Sequence, residues 1–148
     1  MKLLSLLAIS MAAEAGQLNL ATGYSLNSSD RTKIFTLGYQ APLSPIFRYK
    51  LEGGAYIGDG SSPFFGPSLG VGTGSGAFYA EYFLGPSILF IPDGRLTSWY
   101  QFNHDLGFGI HGDNGVSMGV NYKHLSNAGL EGANLGRDFL MLKIGFDL

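Results

Sequence analysis

The chain has 148 residues, room for one domain, and its formal net charge of −2 gives no electrostatic basis for binding nucleic acid. It has no cysteine, so no disulfide stabilises it. Its mean hydropathy is positive and only 14% of its residues are charged, yet no segment after residue 15 has the length and apolarity of a spanning helix. Neither a soluble surface nor a membrane helix accounts for this composition.

The first fifteen residues, MKLLSLLAISMAAEA, predict a secretory signal peptide. Lys2 precedes an apolar run over 3–12, and Ala13-Glu14-Ala15 fits the small-x-small cleavage pattern. The apolar run is too short for a membrane anchor, which needs roughly 20 residues. The predicted organisation is therefore a signal peptide at 1–15 and one mature domain at 16–148.

From residue 16 onward, apolar and polar side chains alternate with the period of a β-strand. The segment FLMLKIGFDL ends the chain, with apolar residues on one face and a mixed set on the other. Eight such segments are predicted, at 17–25, 32–40, 46–57, 64–72, 77–89, 97–110, 115–126 and 138–148. Turn-forming stretches separate them, among them NSSD, APLSP, GDGSS, TGSG, PDG, HGDN and SNAGLEGANLG.

The placement of charge distinguishes a membrane barrel from a soluble sheet. Both signs of charge lie on the mixed face together with glycine, as in Arg48, Lys50, Glu52, Glu81, Asp105, Lys123, Lys143 and Asp147. Such a face suits the interior of a narrow closed barrel, and strands of about 10 residues cross a bilayer at a barrel's tilt. We predict an all-β fold, an eight-stranded antiparallel transmembrane up-and-down β-barrel with lipid on its oily face. A secreted lipocalin-like barrel, with that face inward, is the alternative.

Strand parity brings three polar residues to the oily face. Counting by twos along strand seven from its apolar residues reaches His124 and Ser126, and counting back along strand eight reaches Asp138. With both termini in the periplasm, all three lie at the exterior rim. Polar decoration of the headgroup level is one interpretation, since polar groups cost little there. The other is an acyl-transfer site, because serine needs a base such as histidine and a carboxylate fixes the histidine's tautomer.

The segment HLSNAG, His124 to Gly129, resembles the His-x-Ser-Asn-Ala-Gly signature of the PagL family of outer-membrane lipid A 3-O-deacylases. The resemblance extends to the signal peptide, the length and the eight-strand pattern. It implies that Ser126 is the nucleophile, His124 the base and Asp138 the acid, at a position where the family has glutamate. Glu131 is the alternative acid. The resemblance also favours Asn134 and the Gly129 amide as oxyanion donors, although ordinary turn residues would look the same.

Two motifs of other enzyme classes occur without their structural context. GPSLG at 66–70 matches the nucleophile elbow, and GFGIHG at 107–112 matches a dinucleotide-binding loop. Both motifs must open a helix, and neither is followed by a helical pattern. His104 and His111 have no ligand spacing with His124, so no metal site is predicted, and His104 has no assigned role.

Three functions follow as hypotheses. The first is a cofactor-free serine esterase of the Gram-negative outer membrane, which hydrolyses the ester-linked 3-position acyl chain of lipid A in lipopolysaccharide. The second is a non-catalytic small outer-membrane barrel with a structural or adhesive role, and the third is the lipocalin-like carrier. The expected partners are lipopolysaccharide and outer-membrane lipid, and the sequence leaves open whether two barrels form a homodimer.

Overall fold

The computed structural model describes residues 16–27, 31–58, 61–73, 76–92, 95–130 and 135–148. The predicted signal peptide, 1–15, lies outside these residues. In the part of the chain that is described, no helix has the length and apolarity needed to cross a membrane.

Eight antiparallel strands pair in chain order and close into a barrel, as predicted. They are β1 (Gln17–Ser25), β2 (Lys33–Pro42), β3 (Phe47–Ile57), β4 (Ser61–Gly72), β5 (Phe78–Leu89), β6 (Tyr100–His111), β7 (Val116–Ser126) and β8 (Arg137–Asp147). The ring closes where β1 pairs with β8, from Gln17 opposite Asp147 to Ser25 opposite Phe139. Closure leaves no open edge, so the backbone groups of the strands bond within the sheet.

Alternation along each strand separates an apolar outside from a lumen filled with side chains. The exposed outward residues are large and apolar on every strand, for example Leu37, Leu51, Leu69, Leu84, Phe108, Val120 and Leu142. The interior position of the charged face is confirmed for its central members: Lys50, Glu52, Glu81, Asp105, Lys123 and Lys143 are all buried. An apolar outer face and a charged interior are typical of a barrel in lipid. This excludes the lipocalin-like arrangement, in which the apolar face would point inward.

The buried charges form paired networks in the lumen. Lys123, fully buried, contacts Glu52 and lies 3.4 Å from Asp105 and 3.1 Å from Asn103. Lys50 contacts Asp105 and lies 3.5 Å from Glu52. Farther along the barrel, Lys143 pairs with Glu81. Each of these three lysines therefore has a carboxylate partner, as a low-dielectric interior requires.

The two ends of the lumen differ. We call the end that holds Gln17 and Asp147 the terminal end, and the opposite end the distal end. At the terminal end a polar cavity of about 270 Å³ is lined by residues that include Arg48, Glu81 and His111. Toward the distal end an apolar cluster fills the lumen, formed by Ala21, Ile34, Tyr56, Phe64, Leu89, Leu96, Leu125, Phe139 and Met141. The strands that carry the candidate site are thus packed from behind by a solid core.

The charge network generates a stability prediction. Lys123→Ala leaves Glu52 and Asp105 short of a cation in the lumen and is expected to lower the free energy of unfolding by about 3–5 kcal/mol. Lys33→Ala, at an exposed lysine on β2, is the matched control and is expected to cost less than about 1 kcal/mol. Urea unfolding in lipid vesicles measures both, and equal costs would show that the network adds nothing specific.

Candidate active site

The three candidate residues lie on the outer face of the barrel near its distal end. His124 and Ser126 are on β7 and Asp138 is on β8, and all three side chains are half-buried. His124 and Ser126 continue an outward series on β7, with the exposed Val120 and Tyr122 before them. The site is therefore an open surface on the barrel wall and is not part of the cavity at the terminal end.

His124 and Asp138 form a hydrogen-bonded pair. The two residues are direct partners in the β7–β8 ladder, and His124 Nδ1 lies 2.7 Å from Asp138 Oδ1. Because the carboxylate accepts a hydrogen bond, it selects the tautomer in which Nδ1 carries the hydrogen. His124 Nε2 is then free to accept a proton. Direct opposition in the ladder also explains how aspartate reaches the imidazole although it is one methylene shorter than glutamate.

Further groups hold Asp138 in place. The Tyr122 hydroxyl donates a hydrogen bond to the same oxygen, Oδ1. The backbone N–H of Asp138 donates to Asn27 Oδ1 at 3.2 Å, and Ser25 Oγ donates to that oxygen at 3.1 Å. The sequence alone did not assign Tyr122 to the candidate site. Tyr122 lies two residues before His124 on the same face of β7, and the alternation in the sequence could have shown this. Asn27 reaches the site only because the barrel closes.

Ser126 is the last residue of β7 and lies one outward position beyond His124. It pairs with Phe102 on β6, and among the described residues its hydroxyl makes no hydrogen bond. Same-face neighbours on a strand are about 6.5–7 Å apart at Cα, within reach of a flexible serine and an imidazole. Catalytic hydrogen bonds are often long before substrate binds, so this geometry is compatible with a nucleophile and its base.

The segment after Ser126 turns sharply. Asn127 is buried, Ala128 and Gly129 have φ angles of 54° and 75°, and the Gly129 amide donates to Asn127 Oδ1 at 2.9 Å. The Gly129 amide must therefore exchange this partner before it can bind an oxyanion. The other predicted oxyanion donor, Asn134, and the alternative acid, Glu131, lie outside the described residues.

Gly136, the residue before β8, lies against the candidate histidine His124. Its φ angle is 65°, a left-handed conformation that favours glycine. A Cβ atom at this position would lie 3.0 Å from His124 Cε1 and 3.6 Å from Nε2. The glycine thus leaves the space that the imidazole edge occupies.

A second histidine lies beside the site. His104 on β6 is the direct ladder partner of His124, and their ring centroids are 5.9 Å apart. His104 Nδ1 is 2.8 Å from the Tyr82 hydroxyl on β5. The remaining histidine, His111, lies at the terminal end, where its Nε2 is 3.0 Å from Asp147 Oδ2.

The two misleading motifs lie in strands. GPSLG at 66–70 is inside β4, and GFGIHG at 107–112 covers the end of β6 and the first residue of a turn. No helix follows either motif in the described residues on its C-terminal side, so neither has the strand-to-helix geometry that its chemistry requires.

Comparisons with known proteins agree with this architecture. The family model described as "Lipid A 3-O-deacylase (PagL)" matches residues 10–147. The Lipid A deacylase PagL of Pseudomonas aeruginosa is 32% identical over 94 residues, which cover 64% of this chain and 44% of that protein. The matched segment thus spans less than half the length of that relative.

Solved structures show the same fold. A crystal structure of the outer membrane enzyme PagL superimposes with a TM-score of 0.65 at 22% identity, covering 89% of this chain and 99% of the other. The N-terminal β-barrel domain of Pseudomonas aeruginosa OprF gives a TM-score of 0.72 at 12% identity, covering 91% and 98% of the two chains. At these identities the likeness concerns the barrel alone.

The environment of Gly136 generates a prediction with a built-in control. Both Gly136→Ala and Gly129→Ala place alanine at a positive φ, which costs about 1–2 kcal/mol. Only at Gly136 does the new methyl group meet His124, since nothing lies within 4 Å of a Cβ at Gly129. We therefore expect Gly136→Ala alone to shift the NMR signals of the His124 imidazole. Equal shifts in both variants would show that strain in the connection, and not contact, positions the ring.

Proposed function

This chain belongs to the PagL family, and we propose that it is a lipid A 3-O-deacylase, a serine ester hydrolase that removes the 3-position acyl chain of lipid A. The chain is an outer-membrane β-barrel. The observation that carries the proposal is the His124–Asp138 pair beside Ser126, on the wall that faces lipid. We further propose that residues 1–15 direct export and are removed, leaving 16–148 as the barrel.

The site's location fits a substrate that is itself a membrane lipid. Most enzymes bind small molecules in a concave pocket, whereas this site is an open strip of the outer wall. A lipid in the outer leaflet reaches such a strip by lateral diffusion. Its acyl chains would lie along exposed apolar residues of β7 and β8, such as Val120, Leu140 and Leu142, while the ester stays near the interface and its water.

Acylation begins when Ser126 Oγ attacks the ester carbonyl carbon and its proton passes to His124 Nε2. Asp138 holds Nδ1–H and stabilises the imidazolium that forms. The tetrahedral intermediate collapses, the bond from the carbonyl carbon to the sugar oxygen breaks, and His124 returns the proton to that oxygen. We propose the Gly129 amide and Asn134 as donors to the oxyanion.

Deacylation repeats the same steps with water. His124 Nε2 removes a proton from a water molecule, which attacks the acyl carbonyl, and the bond to Ser126 Oγ breaks as the hydroxyl is reprotonated. Tyr122 contributes by fixing the carboxylate and Asn27 by holding the backbone N–H of Asp138, because a mobile Asp138 would not hold the imidazole in one tautomer. No step requires a metal or a cofactor.

Replacing the nucleophile tests the proposal directly. Ser126→Ala is expected to abolish removal of the 3-position chain while the barrel still inserts, because alanine removes only the half-buried hydroxyl at the end of β7. Mass spectrometry of lipid A from cells that express wild type or variant gives the answer. A wild-type profile from Ser126→Ala would instead favour the non-catalytic structural or adhesive barrel.

The chain offers a matched test of the acid, because it has a second histidine–aspartate pair at the terminal end. Asp138→Asn is expected to lower kcat by about 10²- to 10⁴-fold, since the amide no longer selects the tautomer in which Nδ1 carries the hydrogen. Asp147→Asn breaks the pair with His111, 3.0 Å away, and is expected to leave kcat unchanged. Ester hydrolysis by the purified proteins is the measurement, and equal effects would remove Asp138 from the triad.

A further inference from the structure

A hydrogen-bonded pair, Tyr82 and His104, lies on the lipid-facing wall beside the candidate site, and the proposed reaction does not use it. The neighbouring outward residues on the two strands of this pair are apolar: Leu84, Pro86 and Ile88 on β5, and Phe102 and Leu106 on β6. Polar groups on a lipid-facing surface cost free energy, by an amount that depends on their depth. A pair retained there indicates a function.

The ladder between β6 and β7 sets the depth of His104. His104 is opposite His124, and Phe102 is opposite Ser126, so His104 lies one outward position farther from the distal rim than the nucleophile. Tyr100 and Phe102 stand between His104 and the rim, with their rings edge to face at 5.3 Å. Aromatic side chains in such a place mark the headgroup level. His104 is therefore below the sugars of a bound glycolipid.

The proposed reaction fixes what part of the substrate lies there. The ester carbonyl must be at Ser126, with the sugar oxygen toward the rim and the acyl chain toward the membrane interior. Diagonal ladder neighbours such as His104 and Ser126 have Cα atoms about 7–8 Å apart. Both side chains can thus contact one short stretch of substrate, and the part next to His104 is the first few carbons of the acyl chain.

We propose that His104, oriented by Tyr82, is a specificity-determining residue that hydrogen-bonds a hydroxyl group two carbons beyond the ester carbonyl of the acyl chain. This inference rests on the proposed function. With the Tyr82 hydroxyl donating to Nδ1, Nε2 carries the hydrogen and donates it to the hydroxyl oxygen. A chain without that hydroxyl leaves the imidazole N–H unpaired against hydrocarbon, which penalises the unhydroxylated ester.

A pair of model substrates tests this selectivity. The purified protein in detergent micelles is given p-nitrophenyl 3-hydroxydecanoate and p-nitrophenyl decanoate, and the ratio of the two kcat/KM values is measured. Wild type is expected to prefer the hydroxylated ester by about 10- to 100-fold, the effect of one polar group left unpaired. His104→Phe is expected to bring the ratio close to one, and Tyr82→Phe to lower it in part.

Control variants distinguish a failure of this inference from a failure of the proposed function on which it rests. His111→Phe removes a histidine of the same strand at the terminal end and is expected to keep the wild-type ratio. Loss of both activities to the same degree in His104→Phe would show that His104 only supports His124, and an unchanged ratio would show that it does not contact the hydroxyl. Either result overturns the inference.

The ratio of the two kcat/KM values in the wild-type protein can be measured whether or not any variant folds. Equal rates on the two esters overturn the inference and leave the esterase intact. Hydrolysis of neither ester, or hydrolysis that persists in Ser126→Ala, overturns the proposed function and the inference with it.

Discussion

The pairing of β1 with β8 is the interaction on which the rest of the structure depends. Hydrocarbon offers no hydrogen bonds, so a sheet can cross a membrane only when its first and last strands bond to each other. That ladder runs the whole length of β1, from Gln17 to Ser25, and pairs it with β8 from Asp147 to Phe139. Once the ring is closed, every side chain faces either lipid or the lumen, and the polarity of each face follows.

Closure also creates the surroundings of the candidate site. Asn27 follows β1 and Asp138 belongs to β8, two positions far apart in the chain that become neighbours only at the seam of the barrel. Asn27 thus holds the backbone of Asp138 at the seam, and Tyr122 on β7 holds its carboxylate. Behind these strands Leu125 and Phe139 point inward into the apolar cluster, which gives the reactive groups a rigid support.

The polar groups on the outer face of the barrel need a different explanation from those in the lumen. In the lumen, the lysines and carboxylates neutralise one another, since a charge that is buried away from water needs a partner of opposite sign. On the lipid side no such requirement exists, and apolar residues would be the stable choice. The strip from Tyr82 through His104 and His124 to Asp138 crosses four strands in succession against that preference. The proposed esterase reaction uses His124 and Asp138 at one end of this strip. The proposed selectivity for the acyl chain uses Tyr82 and His104 at the other end.

The sequence by itself determined the strand pattern, the all-β class, the inward charges and the outward parity of His124, Ser126 and Asp138, because all of these follow from a period of two. It was less accurate at strand ends. Ser61–Pro63 reads as a turn but extends β4, since β3 supplies ladder partners as far as Ser61. Residues 97–99 read as strand, yet β6 begins at Tyr100, and Leu96 before it is buried in the apolar cluster.

Only the tertiary structure decided what depends on register across strands. Alternation tells which face a side chain takes but carries no information about which residue stands opposite it. The direct opposition of His124 to Asp138 and to His104, the contacts of Tyr122 and Asn27, and the space left by Gly136 are all consequences of register and closure. Those are properties of the whole ring of hydrogen bonds, and no single strand contains them.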